Sequence, residues 1–448
     1  MDTLTLKKRI YDLAISGQLT CHLVDDTPVD STLLFYQEEG VDSLPDIPDT
    51  WKYCYFDDVL INRDSERIPV SVADRKKLSK KYDYYGASGV IDKVDNFLFD
   101  ENLLLIGEDG ANLLSRSTPI AFIAKGKYWV NNHAHVLQAT EHVLLEFVEI
   151  YINAISLVPY VTGSAQPKLS QRMMSKIPVP VPPIEEQQRI VETVRSVSEH
   201  LGLIDALQSQ YQDNLATLKS KIIDAGIQGK LTEQLPEDGN AEELYQQIQR
   251  EKLALEKAGK IKKSKPLPPI SDEEKPFDIP ENWKWVRLAD VYEINPKVNA
   301  DDNINAAFIP MERISAGFDR SFSYVVQKWS EASKNHTRFC DGDVAFAKIS
   351  PCFENRKSFV VENLPNSLGG GTTELIILRQ KLIDPLFTYY LILDERFIRL
   401  GLSTYKGTVG QQRIKNDVMF AYVFPLPPLA EQKRIVAKLE ELLPLCEG

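Results

Sequence analysis

Side chains able to bond base edges and phosphates gather in a few short stretches of this 448-residue chain. Asn and Gln can bond adenine bidentately, and Arg and Lys can bond guanine or phosphate. One stretch holds Ser65, Glu66 and Arg67, then Arg75, Lys76, Lys77, Lys80 and Lys81, then Tyr84, Tyr85 and Ser88. A second, 125–133, holds Lys125, Lys127, Asn131 and Asn132. Later come Lys348 and Ser350, then Asn355, Arg356 and Lys357, then the glycine-rich run 369–373 with Thr372 and Thr373. Two more stretches, 162–170 and 405–413, supply Gln166 and Lys168, and Lys406, Gln411, Gln412 and Arg413. Each residue taken singly suits a solvated loop equally well. The clustering is what points to a nucleic-acid partner.

Reactive chemistry is scarcer. Gly126-Lys127, Gly229-Lys230 and Gly259-Lys260 all lack the Ser or Thr that would complete a phosphate-binding loop. No HExxH is present, nor a Gly-x-Gly-x-x-Gly opening a helix, nor the Asn/Asp-Pro-Pro-aromatic loop of an amino-methyltransferase. His133 and His135 alternate along one strand without a locatable third ligand, so a hydrogen-bonded structural role is expected. Asp341, Asp343, Glu354 and Lys357 can imitate a metal-dependent nuclease, provided the carboxylates converge. Asp341-Gly-Asp343 reads instead as a turn before a strand. No catalytic residue and no metal are therefore assigned to this chain.

Composition narrows the class. Apolar residues make up 43% and charged residues 26%, as in ordinary globular proteins. No run of about 18 apolar residues suggests a membrane span, and Asp12 and Ser16 interrupt the N-terminal apolar stretch that a signal peptide would keep. Five scattered cysteines without a CxxC pair suit a reducing cytoplasm. The net charge of −12 is unevenly spread: residues 1–50 hold 3 basic and 10 acidic residues, whereas 283–406 hold 16 and 15. Local basic faces on the large blocks are compatible with that distribution.

The elements that must position these loops reveal themselves as a repeat. LKKRIYDLAISGQLT (6–20) aligns without gaps on LKSKIIDAGIQGKLT (218–232), with eight of fifteen residues identical. DIPDTWK (46–52) matches DIPENWK (278–284), and PVPPIEEQQRIV (180–191) matches PLPPLAEQKRIV (425–436). A duplicated module of over 200 residues predicts a pseudo-two-fold internal repeat. Prolines 178, 180, 182 and 183 block a helix, and one opens after them with acidic residues in its first turn. Apolar residues then recur at alternating spacings of 4 and 3: Ile190, Val194, Val197, Leu201, Ile204, Tyr211, Leu215, Leu218, Ile222 and Ala225. A helix over 184–228 would span roughly 65–70 Å, stopped by Gly229. The other copies keep the register through Leu6, Ile10 and Leu13 and through Ile435, Leu439 and Leu442. The two chain ends are thus expected to stand opposite the central helix in a circular organisation, as a pair of long antiparallel helices.

The blocks between the repeats, 53–162 and 285–406, have similar lengths and unlike sequences. Alternating residues in 90–114, 341–349, 357–362 and 372–379 read as strands, and 141–155, 241–259 and 384–402 as helices. Residues 260–280 read as an extended Pro-rich linker, in which Lys260, Lys262, Lys263 and Lys265 form a solvated basic cluster. The fold class is α+β: two globular mixed α/β domains on a paired-helix frame, in segments 1–45, 46–162, 163–275, 276–406 and 407–448.

The chain resembles the DNA-specificity (S) subunit of type I restriction-modification systems. The resemblance is carried by LKKRIYDLAISGQLT and its copy, by GSAQPKLSQRMMSKIPVPVPPIEEQQRIV and by KGTVGQQRIKNDVMFAYVFPLPPLAEQKRIV. YYGASGVIDKVDNFLFDENLLLIGEDGAN with WVNNHAHVL, and DGDVAFAKISPCFENRKSFVVENLPNSLGGGTTELIILR, resemble two types of target-recognition domain. It implies two such domains, each reading one half of a split, asymmetric site in double-stranded DNA, held apart by the helices. Two modification subunits would dock on that frame, bind S-adenosylmethionine and methylate adenine. Restriction subunits would cleave with ATP and Mg, and this chain itself would hold no cofactor. GSAQPKLS appears as GTVGQQRI in the second half, which puts equivalent contacts there in doubt. The two half-site centres are expected on the order of one DNA turn apart, and Lys357 is expected to contribute to the salt dependence of binding. A coiled-coil adaptor with two protein-binding heads, and a self-contained nuclease, are the competing readings.

Overall fold

The computed structural model describes residues 2–34, 36, 44–163, 166–261, 267–408 and 410–446. Of the basic linker cluster, Lys262, Lys263 and Lys265 lie outside the described residues. The chain divides into two compact units, Met1–Gln208 and Ser209–Gly448. Among the described residues no helix is long and apolar enough to cross a membrane.

In the first unit the described strands are β1 (Lys52–Cys54), β2 (Leu60–Asn62), β3 (Tyr82–Gly86), β4 (Gly89–Val94), β5 (Phe99–Asp100), β6 (Leu103–Gly107), β7 (Ala121–Ala124), β8 (Lys127–Val130), β9 (Ala134–Ala139) and β10 (Val179–Val181). They pair as β2-β9-β6-β7, as β4-β3-β8-β5 and as the two-stranded β1-β10. Only β3 and β8 run parallel. In the second unit they are β11 (Lys284–Arg287), β12 (Glu293–Ile294), β13 (Asn305–Ile309), β14 (Val325–Lys328), β15 (Thr337–Cys340), β16 (Val344–Ala347), β17 (Ser358–Val360), β18 (Leu368–Gly371), β19 (Leu375–Arg379) and β20 (Val423–Leu426). Their sheets are β12-β19-β16-β17, β14-β13-β18-β15 and β11-β20, with β13 and β18 parallel. Strand for strand the two topologies coincide, although the insert sequences do not.

Each proline-rich stretch does more than bar a helix. Pro180 and Pro425 sit within β10 and β20, opposite Tyr53 and Trp285. Two-stranded ribbons tolerate this because proline has no N–H to lose on an open edge. Pro182 and Pro183 then lead into the helix Ile184–Ile227. Residues 384–402, read as one helix, form two, Pro385–Leu393 and Glu395–Ser403, separated by Asp394. The Asp394 carboxylate caps the second by accepting from Arg396 N.

The repeated residues form the same buried clasp in each unit. Glu186 accepts from Trp51 Nε1 at 3.1 Å and Thr20 Oγ1 at 3.3 Å. Glu431 accepts from Trp283 Nε1 at 2.7 Å and Thr232 Oγ1 at 3.1 Å. Gln187 donates to Pro182 O and accepts from Leu144 N, while Gln432 donates to Pro427 O and accepts from Asp384 N. Arg189 grips Asp26 through two bonds, and Arg434 grips Asp238 likewise. Behind each clasp a glycine in the left-handed region, Gly17 or Gly229, lies against Pro48 and Trp51, or Pro280 and Trp283.

The helix Thr3–Ile15 runs antiparallel to the start of Ile184–Ile227, as bonds from Thr3 to Asp205 and from Thr20 to Glu186 require. Ala14 and the half-buried Ile10 join Ile190, Val191, Val194, Phe147 and Ile150 in one cluster. In the second unit Ile223 and Ile227 share a core with Ile435 and Leu439 of the helix Leu429–Leu442. Leu201 is buried and Val197, Ile204, Leu215, Ile222, Leu13 and Leu442 are half-buried. Leu6, Tyr211 and Leu218 are exposed, as are Leu203 and Leu207. Of the apolar seam, Ile190, Val194 and Leu201 are thus buried in the first unit, while Tyr211 and Leu218 are exposed in the second.

Two outcomes follow from the clasp. Gly17→Ala would place Cβ 2.3 Å from Pro48 Cγ at φ +69°, whereas Gly126→Ala, at φ +71°, meets nothing within 4 Å. The first variant should lower the urea midpoint distinctly more than the second, since both bear the same backbone strain. Arg189 beside Asp26 holds its carboxyl down at about 2, against an ordinary 3.8. A lowered carboxyl stabilises fully above the unfolded value and loses that contribution as pH falls through the folded one. Melting curves should show this acid loss between about pH 4 and pH 2, and Arg189→Met should shrink it.

Candidate nucleic-acid interface

Four loops meet at one end of the first unit's sheets. β3 delivers the chain to the Ala87–Ser88 tip, and Ala87 O comes so near Gly107 that a Cβ there would lie 2.7 Å away. Asn131 N donates to Tyr85 O, and its buried side chain accepts from His133 N at 2.8 Å. Glu108 N donates to His133 O at 2.9 Å, Leu169 N to Glu108 O at 2.8 Å and Gly110 N to Pro167 O at 3.0 Å. Thus Pro167 and Leu169, at the start of the frame segment, are bolted to the insert. Lys168 pairs with Glu108 at 3.0 Å. Ser88, Asn132, His133 and Gln166 are exposed at this end.

The second unit docks its frame loop through the same backbone pattern. Lys348 N donates to Glu374 O at 2.8 Å, Ile414 N to Lys348 O at 3.0 Å and Ser350 N to Gln412 O at 2.8 Å. Ser350 is buried, and its Oγ accepts from Gln412 N. Thr372 Oγ1 accepts from Glu374 N, and Thr373 is exposed beside it. Arg413 pairs with Glu374 at 2.7 Å, opposite Lys406 in a short bridge. Lys406 and Gln411 are exposed, and Lys348 is half-buried. Gln412 and Ile414 thus seat on 348–350 as Pro167 and Leu169 seat on 108–110, with different side chains.

Other expected contacts lie elsewhere or turn inward. β8 runs parallel to β3, so Lys81 and Lys127 sit at the opposite end of that sheet from Ser88 and Asn132. Lys81 rests over Tyr82, and Lys127 over Phe97 and near Asp100. Lys80 and Arg75 both bond Asp92, whose carboxyl is held well below the usual carboxylate range by Lys80 first, then Lys93 N and Arg75. Lys76, Lys77 and Lys125 are exposed. Tyr84 is a core residue, 1% exposed, with its hydroxyl accepting from Val70 N and Arg75 over its ring. Tyr85 stacks on Phe122. The buried Tyr84 ring is therefore closed to a base. Asn131 and Ser350, likewise expected in contact with DNA, serve inside the loops. Asn355 is exposed, Arg356 bonds Glu395 at 2.6 Å, and Lys357 Nζ donates to Met311 O at 2.9 Å. Lys357 thus has an internal partner that the sequence did not disclose.

The acidic residues of the nuclease reading do not converge. Asp343 is buried against Arg379, Asp341 accepts from Leu364 N and Ser367, and Glu354 accepts from Tyr405. Asp64, Glu108 and His135 do lie close together. However, His135 Nδ1 faces Asp64 at 2.6 Å and Nε2 faces Leu169 O at 2.7 Å. Both ring nitrogens are thus already engaged, one by a carboxylate and one by a backbone carbonyl. The ring instead ties the frame loop to the insert, together with Gln171, which donates to Asp64. His22, Asp26 and Glu186 also cluster, but Asp26 is taken by Arg189 and Glu186 by the clasp. His133 pairs with Asp109, and no sequence signal joins them, because twenty-three residues lie between them and no spacing rule links a turn to a strand end.

Residues 48–210 and 280–446 match the type I restriction modification DNA specificity domain. Over 234 residues, 51% of this chain, it is 43% identical to the Escherichia coli type I restriction enzyme EcoAI specificity subunit, aligning with 40% of that protein. The EcoEI specificity subunit of Escherichia coli is 41% identical, with 39% of its length covered. The chain thus spans about two-fifths of the length of these two curated relatives. The EcoDI specificity subunit of Escherichia coli aligns more widely, at 31% identity over 88% of this chain and 82% of that one. Among solved structures, a chain from work on complex assembly and conformational transition of the type I R-M system superposes with a TM-score of 0.54, at 17% identity, covering 89% of this chain and 91% of that one. That likeness concerns the fold. With a repeated clasp, two units of one topology and a family match on both halves, this chain belongs to the type I restriction-modification DNA specificity domain family.

Proposed function

We propose that this chain is the sequence-reading subunit of a type I restriction-modification complex, and that the loop end of each unit reads one half of a bipartite, asymmetric site in double-stranded DNA. The observation that carries this reading is the pairing of sameness and difference. The three backbone bonds that seat the frame loop recur in both units, while the side chains exposed around them differ. One scaffold presenting two unlike surfaces suits a target whose halves are unlike.

In this reading the helix Ile184–Ile227, with the chain-terminal helices as its antiparallel partners in a coiled-coil pair, fixes the spacer of the target. The exposed seam residues Tyr211 and Leu218 are where two modification subunits dock, and restriction subunits join through them. S-adenosylmethionine, ATP and Mg belong to those partners. Lys, Arg and backbone N–H contacts to phosphate set affinity and its salt dependence, while base-edge contacts set sequence. The complex acts in the cytoplasm.

Mapping methylated adenines in a host that expresses the chain with its modification subunits tests the proposal. A split, non-palindromic motif is expected. A single contiguous motif, or no methylation, overturns it. Within that complex Lys406→Ala should flatten the dependence of log affinity on log salt by about one unit of slope, with the recognised motif unchanged. Titrations of duplex DNA at several salt concentrations measure this.

A further inference from the structure

One exposed side chain at the first unit's loop end is held rather than loose. The His133 side chain is 49% exposed, with Nδ1 2.8 and 3.0 Å from the two Asp109 oxygens. A ring nitrogen facing a carboxylate donates, so Nδ1 carries hydrogen and the neutral ring keeps its lone pair on Nε2. Among the described residues Nε2 has no partner. The backbone beneath is fixed too: His133 N donates to the buried Asn131 side chain, and His133 O accepts from Glu108 N. Fixing an exposed ring costs rotamer entropy, which a loop that only meets water has no need to lose.

The second unit holds a comparable group in the corresponding place. There Glu374 occupies the position of His133, its carbonyl accepting from Lys348 N as that of His133 accepts from Glu108 N. Glu374 clamps Arg413 through Nε at 2.9 Å and Nη2 at 2.7 Å, with the Arg413 side chain as a whole 48% exposed. Exposed neighbours are Asn132, Ser88 and Gln166 in one unit and Thr373, Lys406 and Gln411 in the other. Each loop end therefore offers one pre-oriented polar group among adaptable ones, which is how a rigid base-reading contact is built.

We infer that His133 is a base-reading residue, held by Asp109 as its positioning residue, and that Arg413 held by Glu374 is its counterpart in the second unit. His133 Nε2 accepts from the exocyclic amine of adenine or cytosine in the major groove, and the outer Nη1/Nη2 edge of Arg413, whose Nη1 also donates to Gln411 O at 3.3 Å, keeps an N–H on each nitrogen to donate to guanine O6 or N7. The inference rests on the proposed reading of a bipartite DNA target and names side chains that discriminate within each half.

The test uses the complex of this chain with its modification subunits and selection from a randomised duplex pool. His133→Ala should relax the base preference at one position of one half-motif by roughly 5- to 150-fold. Asp109→Asn should relax the same position more weakly. Arg413→Ala should relax one position of the other half and leave the first untouched. A purely structural role would instead weaken binding evenly at all positions. Unchanged discrimination, or an even loss, in variants that melt like the parent overturns the inference while the parent's bipartite motif upholds the reading. A parent complex with no sequence preference overturns both.

Discussion

A buried carboxylate at the start of a helix organises each half of this molecule. Glu186 and Glu431 are both essentially inaccessible, and each holds an indole N–H and a threonine hydroxyl. A charge so buried is tolerable only when its hydrogen bonds are met. That requirement fixes a tryptophan after its Asp-Ile-Pro turn, a threonine after the glycine stop and a proline-rich strand before the helix. Once those are fixed, the entry and exit of each insert are fixed as well. The helix dipole adds to the effect, because each carboxylate lies in the first turn.

This clasp explains why two inserts can diverge while keeping one topology. Their sheets need alternating apolar residues and correctly placed strand ends, which many sequences satisfy. The frame loop does the remaining work by bonding backbone to backbone, at 108–110 in one unit and 348–350 in the other. Backbone bonds are indifferent to side-chain identity, so exposed residues around the same seat are free to differ. Recognition surfaces commonly sit on loops held by such rigid scaffolds.

Much of the frame could be read from residues alone, because the repeat preserves the very side chains that make the clasp. Glu186/Glu431, Gln187/Gln432, Arg189/Arg434, Gly17/Gly229 and Trp51/Trp283 are each a matched pair in the sequence. The long helix ends at Ile227, one residue from its expected limit. The shared topology of the inserts left no trace, since strand pairing follows pattern and not identity. Proline in β10 and β20 disguised two strands. The candidate interface was half legible: Gln166, Lys168, Asn132 and Arg413 lie at the loop ends, yet Tyr84 and Asn131 are buried and Arg75 and Lys80 serve Asp92. Residue type reveals what a side chain is able to bond, but not whether the fold has already provided it with a partner.

Hydrogen exchange of the assembled complex with and without its duplex target tests the central claim most directly. Protection is expected in both loop sets, 86–89, 131–133 and 163–169 in the first unit and 348–351, 372–374 and 406–413 in the second. Protection confined to one unit, or appearing instead around Lys80, Lys81 and Lys125–Lys127 at the opposite sheet end, would contradict it.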